Sequence, residues 1–269
     1  MKSRLLILLL PLLPLSAHPD PGHTLEHLEE HLAATPDDAV LLRQKANLLL
    51  STGNPALARP IVDHLLTLHD SQPEDLLLDV RTRHAEHDAT APAKASALVT
   101  ACPEFAAGWS FLARIEEEQG HRDLAILALR RTLDLSPHPS PTDVLTCAAW
   151  LEERGDNSEA IAVLDQGLAK IGVLAGFHQK AISLEIKLGR HDAALRRIDV
   201  LAARFRPSVE LSLQCAAILE KAGRYREAAA SYDSALALLN AMPAARRSTD
   251  SHGERFDTIS RRKADCLTR

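Results

Sequence analysis

From Trp109 onward, apolar residues return at intervals of three and four. Trp109, Leu112, Ala113 and Ile115 form one such run, and Leu124, Ala125, Ala128, Leu129 and Leu133 form a second. An α-helix brings a side chain back to the same face at that spacing, so each run predicts a helix with one buried stripe. Between the runs lies Gly120, which can take φ > 0, ending the first helix and letting the second fold back antiparallel. Ala125, five residues later, is small enough for the two backbones to approach closely. The second run stops at Ser136-Pro137, and proline cannot continue a helix. The pattern predicts two antiparallel helices and a stop.

That pattern recurs along the chain. Gly120, Gly155, Gly189 and Gly223 follow one another at 35, 34 and 34 residues, each with Ala five positions on. Gly53 begins the same segment 67 residues before Gly120, and His87-Asp88 occupies the turn expected halfway between, without a glycine. Six units fall in register, at 39–72, 73–106, 106–139, 141–174, 175–208 and 209–242. Periods of this length mark arrays in which each unit buries its apolar stripe against its neighbours. The stretch Thr24–Leu32 reads as a lone second helix, giving an N-terminal cap over 18–38. Residues 243–269 read as a polar C-terminal capping helix, with a break expected over 248–253.

In the third unit the carriers of the pattern are Trp109, Leu112, Ala113, Gly120, Ala125, Leu129 and Pro137; in the sixth they are Gly223, Tyr225, Ala228, Tyr232, Ala235 and Leu236. On these residues the chain resembles the tetratricopeptide repeat family, over about three quarters of its length. The second unit departs most, with Pro92 where alanine belongs. The resemblance implies an all-α, right-handed superhelical solenoid of about six helix–turn–helix repeats, capped at both ends. It also implies a non-enzymatic scaffold that binds a peptide or protein segment in a concave groove lined by the first helices.

Carried onto this chain, the family's groove positions are Arg43, Asn47, Arg81 and His84, then Ser110, Arg114, Glu117, Glu118, Thr146, Glu152 and Glu153. They continue with Gln179, Ser183, Lys187, Glu210, Glu220 and Lys221. The family's clamp for a C-terminal carboxylate starts from a basic residue and an asparagine, which Arg43 and Asn47 match. Leu78, Ala107 and Phe111 stand where its other members are expected, so that mode of binding is not expected here.

Composition narrows the ligand. Hydrophobic residues make up 46% and charged residues 25%, so the chain can bury a core and is not a disordered type. Aromatic residues are only 3%, with Leu and Ala in their place. Phe and Tyr are assigned to packing, which leaves the groove almost without platforms for stacking a base or a sugar. From His18 to Gly189 there are 14 basic and 26 acidic residues, and from Arg190 to Arg269 there are 15 and 10. A concentrated basic face is confined to the C-terminal part at most, and no nucleic-acid partner is expected.

Met1-Lys2-Ser3-Arg4 is basic, Leu5–Leu15 is apolar, and Ser16-Ala17 is small, which is the order of a secretory signal peptide over residues 1–17. A protein exported to the periplasm or cell exterior follows, with no stable membrane insertion once the segment is cleaved. Cys102, Cys147, Cys215 and Cys266 contain no CxxC, and the register separates Cys147 from Cys215 by two whole repeats, so free thiols are expected. His23, His27 and His31, spaced by four, line one helix face and offer an alternative reading as a metal-binding ladder. No nucleophile elbow, HExxH, P-loop or dinucleotide fingerprint is present. Neither enzymatic activity nor a cofactor is expected.

Overall fold

The computed structural model of the protein describes residues 21–68, 72–247 and 250–269. The signal segment expected at 1–17 lies outside the described residues. Within them the regular structure is entirely helical and divides between Gly108 and Trp109 into two compact bodies.

In the first body, α1 (Pro21–Ala34) packs on α2 (Ala39–Ser51), which pairs with α3 (Pro55–Leu68); α4 (Pro73–Ala85) pairs with α5 (Ala91–Ala101). The Asp38 carboxylate starts α2 by accepting the Val40 and Leu41 amides, which no intrahelical carbonyl can reach. Leu42, Ala46, Leu49, Ala58, Val62, Leu65 and Leu78 form its core, with Leu25 and Leu32 of α1 packed against it. Pro92, the residue least in keeping with the repeat, falls in the first turn of α5, where no amide donor is lost. Ala91, Ala95, Leu98 and Val99 are buried, so this helix forms despite the departure.

The second body continues the alternation with α6 (Ala106–Glu118) and α7 (Arg122–Leu135), α8 (Pro141–Glu153) and α9 (Asn157–Ile171), α10 (Ala175–Lys187) and α11 (His191–Arg204), and α12 (Val209–Lys221) and α13 (Tyr225–Asn240). The turns inside the pairs share one backbone device. Gly53, Gly120, Gly155, Gly189 and Gly223 have φ of 77°, 80°, 93°, 69° and 73°, and His87 occupies the equivalent turn at 58°. Here a non-glycine residue accepts the left-handed strain that glycine avoids elsewhere.

Successive pairs are also tied at the turns. Arg154 reaches Asp123, Arg190 reaches Ser158 and Arg224 reaches Asp192, each at 2.9 Å and across 31 or 32 residues. Each rung joins the turn of one pair to the start of the second helix of the pair before it. Where helices approach most closely the residue is glycine: a Cβ on Gly167 of α9 would lie 2.7 Å from Phe177 Cε2 and 2.8 Å from Val144 Cγ1.

After α13 come a four-residue turn of helix, α14 (Ala244–Arg247), and α15 (Asp250–Leu267). Gly253, expected near a break, lies inside α15. This last helix buries Ile259 and Cys266 against the α12–α13 core. Arg255 pairs with Glu210 at the start of α12 and Arg262 with Glu220 near its end, so α15 runs alongside α12 in the same direction.

Candidate interaction face

Polar side chains on the first helices of the pairs fall into two groups, one in each body. In the first body, Arg43 donates to both oxygens of Asp75, at 2.5 and 3.0 Å. Asp75 is fully buried and also accepts the Gln72 amide at 3.1 Å. That hydrogen bond with Asp75 raises the Arg43 pKa, while burial opposes it. The guanidinium singled out as half of a carboxylate clamp is therefore engaged inside the chain. Asn47 accepts from Arg81 at 2.7 Å, and its own amide donates to the Arg43 carbonyl. His84 is half-buried on α4.

A second polar centre in this body has no counterpart in the sequence reading. Asp79, almost fully buried, accepts from Arg59 at 2.9 Å and from Arg83 at 2.8 Å. Arg59 also holds Glu86 at 2.7 Å, and Arg83 holds Asp88 at 3.0 Å. Arg59 and Asp79 lie 20 residues apart on different helix pairs, so no local spacing marks them.

In the second body, side chains link each first helix to the next. Between α6 and α8, the Ser110 hydroxyl faces Asp143 at 3.4 Å, and burial pushes that carboxyl up. Lys180 and Lys187 of α10 both donate to Glu152 of α8, and these bonds hold its carboxyl below the usual range. Gln214 of α12 donates to Gln179 of α10 at 2.8 Å.

Around these links, Arg114 lies over the Phe111 ring at 4.1 Å and 3.9 Å from Glu118. Arg122 divides itself between Glu117 at 3.1 Å and Glu153 at 3.2 Å. Thr146 is half-buried, whereas Ser183 and Lys221 are exposed.

Glu220 differs from the rest because α15 covers it. It accepts from Tyr232 at 2.8 Å, Arg262 at 2.6 Å and the Cys266 thiol at 3.2 Å. Burial pushes the Glu220 carboxyl up, but the Tyr232, Cys266 and Arg262 donors outweigh it and leave the pKa lowered. It belongs to the seat of the last helix more than to an open surface.

The alternative ladder presents less. His27 and His31 are exposed with ring centroids 4.5 Å apart, and the side chain of His23 lies outside the described residues. Among the described residues, no three His, Cys, Asp or Glu side chains gather to hold a metal ion. The four cysteines are free thiols, with Cys147 and Cys266 buried and Cys102 and Cys215 half-buried. Burial pushes the Cys147 thiol to about 11. Among the described residues, no helix is long and apolar enough to cross a membrane.

A sequence model of the tetratricopeptide repeat matches residues 211–243, which is the sixth pair. No curated protein matches the chain. Among solved structures, the C-terminal part of a TPR repeat-containing protein from Cytophaga hutchinsonii superposes with a TM-score of 0.56 at 11% identity, covering 87% of this chain and 93% of that one. A tetratricopeptide repeat protein from Parabacteroides merdae gives a TM-score of 0.44 at 14% identity, covering 91% and 93%. At 11% identity the likeness to the Cytophaga protein is one of fold. The family's own model is thus seated on the sixth pair, and the same turn geometry recurs in the pairs before it, so the sixth pair is a tetratricopeptide repeat and the described helices follow that family's fold.

Proposed function

We propose that the protein is an exported scaffold that holds a protein or peptide segment along the first helices of its repeats. The tetratricopeptide fold supports the role of protein–protein interaction scaffold. One observation carries the finer reading: in the second body the first helices present exposed polar side chains at repeat spacing, Gln179, Ser183, Lys187 and Lys221 among them, while most of their apolar residues are buried, Leu145 of α8 being an exposed exception. Such a face offers hydrogen bonds and charges to a partner without exposing a large apolar patch. Export rests on the basic, apolar and small-residue order of residues 1–17.

A photoreactive benzoylphenylalanine placed at Ser183, and in a second variant at exposed Ala162 on α9, tests the face in the native host. A discrete adduct is expected from the Ser183 position and none from Ala162. Equal adducts from both would sink the reading. Export is tested by N-terminal sequencing of protein recovered outside the cytoplasm, where a start close to His18 is expected; an intact Met1 there would refute cleavage.

A further inference from the structure

The thirteenth residue of each unit in the second body carries a charge. These are Glu118, Glu153, Lys187 and Lys221, at the ends of α6, α8, α10 and α12, and all four are exposed. Two acids are followed by two bases. The row is contiguous, because the Ser110–Asp143, Lys187–Glu152 and Gln214–Gln179 contacts tie each of these helices to the next.

Neighbouring charges do not erase the polarity. On the acidic half, Arg114 and Arg122 face Glu117, Glu118 and Glu153, with half-buried Asp143 beyond them. On the basic half, Lys180 and Lys187 share one carboxylate, Glu152, so two ammonium groups stand against a single negative charge. Past Lys221 the face opens into a cavity of about 350 Å³ lined by Glu220, Tyr225, Arg262, Asp265 and Arg269. There Glu220 is already bound to Arg262, and Arg269 lies over the Tyr225 ring at 5.3 Å. Beyond Lys221 the two cations Arg262 and Arg269 are matched by Glu220 and Asp265, so Lys221 is the last unbalanced charge of the row.

We propose that this row selects the partner: a linear polar segment whose basic residues lie over α6 and α8 and whose acidic residues lie over α10 and α12. Helices stack at about 8–10 Å, and an extended chain advances about 3.3 Å per residue. The recognised side chains therefore fall about three residues apart, over about ten residues in all. Opposite charges laid against the row are favoured, and like charges are disfavoured on either half. The inference rests on the reading that a partner lies along the first helices, and deepens it by stating the partner's charge order.

The test uses the full chain and four fluorescein-labelled peptides of one Ser/Gly background. At every third position they carry Lys-Lys-Glu-Glu, Lys-Glu-Lys-Glu, all Lys or all Glu. Rim ion pairs are individually weak, so the four together are expected to favour Lys-Lys-Glu-Glu over the alternating peptide by about tenfold in anisotropy titrations. In the Glu118→Lys/Glu153→Lys protein the row is basic throughout, and the preference should pass to the all-Glu peptide by a similar factor. Both preferences should shrink at about 1 M salt, where the Debye length is about 3 Å. Both substituted residues are exposed, and an unchanged far-UV spectrum verifies the fold.

Less than about twofold discrimination by the unsubstituted protein, no measurable binding, or an unaltered preference in the variant would each overturn the proposal. A photoreactive group at the centre of each peptide separates the two levels. Adducts on α8, α10 or α12 without charge discrimination overturn the charge order but leave the face as the binding surface. Adducts confined to other helices overturn both.

Discussion

Gly155 closes the turn between α8 and α9 at φ 93°, and a Cβ built there meets no heavy atom within 4 Å. The same open space surrounds Gly53, Gly120, Gly189 and Gly223. Substitution by alanine at these turns therefore probes the backbone alone. Holding an L-residue in the left-handed region costs about 1–2 kcal/mol, and the entropy that alanine removes from the unfolded chain returns about 0.5–1 kcal/mol of that. Gly155→Ala should destabilise the second body by about 1 kcal/mol, and the equivalent changes at Gly120, Gly189 and Gly223 by the same amount within a few tenths.

His87, at φ 58°, already bears this strain, so His87→Gly should run the other way and stabilise by up to about 1 kcal/mol. Urea unfolding followed by far-UV circular dichroism at several protein concentrations measures both. Unfolding of an array is not bound to be two-state, so local amide exchange around each turn should accompany it. A neutral Gly155→Ala, or a destabilising His87→Gly, would refute the assignment of these turns to backbone strain. Gly167→Ala provides the contrast. Its Cβ would press on Phe177 and Val144, and the expected loss of about 1–3 kcal/mol comes from overpacking.

Three further outcomes are expected. His178 is buried with Nδ1 unpartnered, and its pKa is lowered first by burial and then by Arg197. The unfolded chain then binds the proton more readily, so stability is full above the ordinary histidine range and falls as pH drops through it. His178→Phe should flatten the difference between urea midpoints at about pH 7.5 and about pH 5.5, and an unchanged slope would count against this. Arg59→Ala removes a cation from buried Asp79 and should cost about 2–3 kcal/mol, whereas Arg154→Ala, at a solvent-screened rung, should cost much less; paired melting curves check the order. Finally, iodoacetamide followed by peptide mass mapping should label Cys102 and Cys215 before Cys147 and Cys266, because the last two are buried. Early modification of Cys147, whose thiol is pushed to about 11, would contradict its placement.

Periodicity made the helix pairs legible because each unit's packing is local: Gly120, Ala125 and Pro137 act within a few residues of themselves. The displaced turn at His87 was readable for the same reason, since register alone located it. Long-range pairing was not readable. Arg43 looked available for a ligand until the fold brought it to Asp75, and Glu220 looked like groove until α15 lay across it. Asp79 and Arg83 are a local i, i+4 pair on α4, but nothing in the sequence brings Arg59 of α3 to them.

The sequence by itself determined the helical repeat, its 34-residue step and the charges at each thirteenth position, all properties of one unit and its neighbours. Tertiary structure alone decided which of those charges stay open to a partner. A guanidinium or a carboxylate is the same in the sequence whether solvent or a buried counter-ion meets it. Only the stacking of one helix on the next brings Lys180 and Lys187 to a single Glu152 and lays α15 over Glu220, while Lys221 stays exposed.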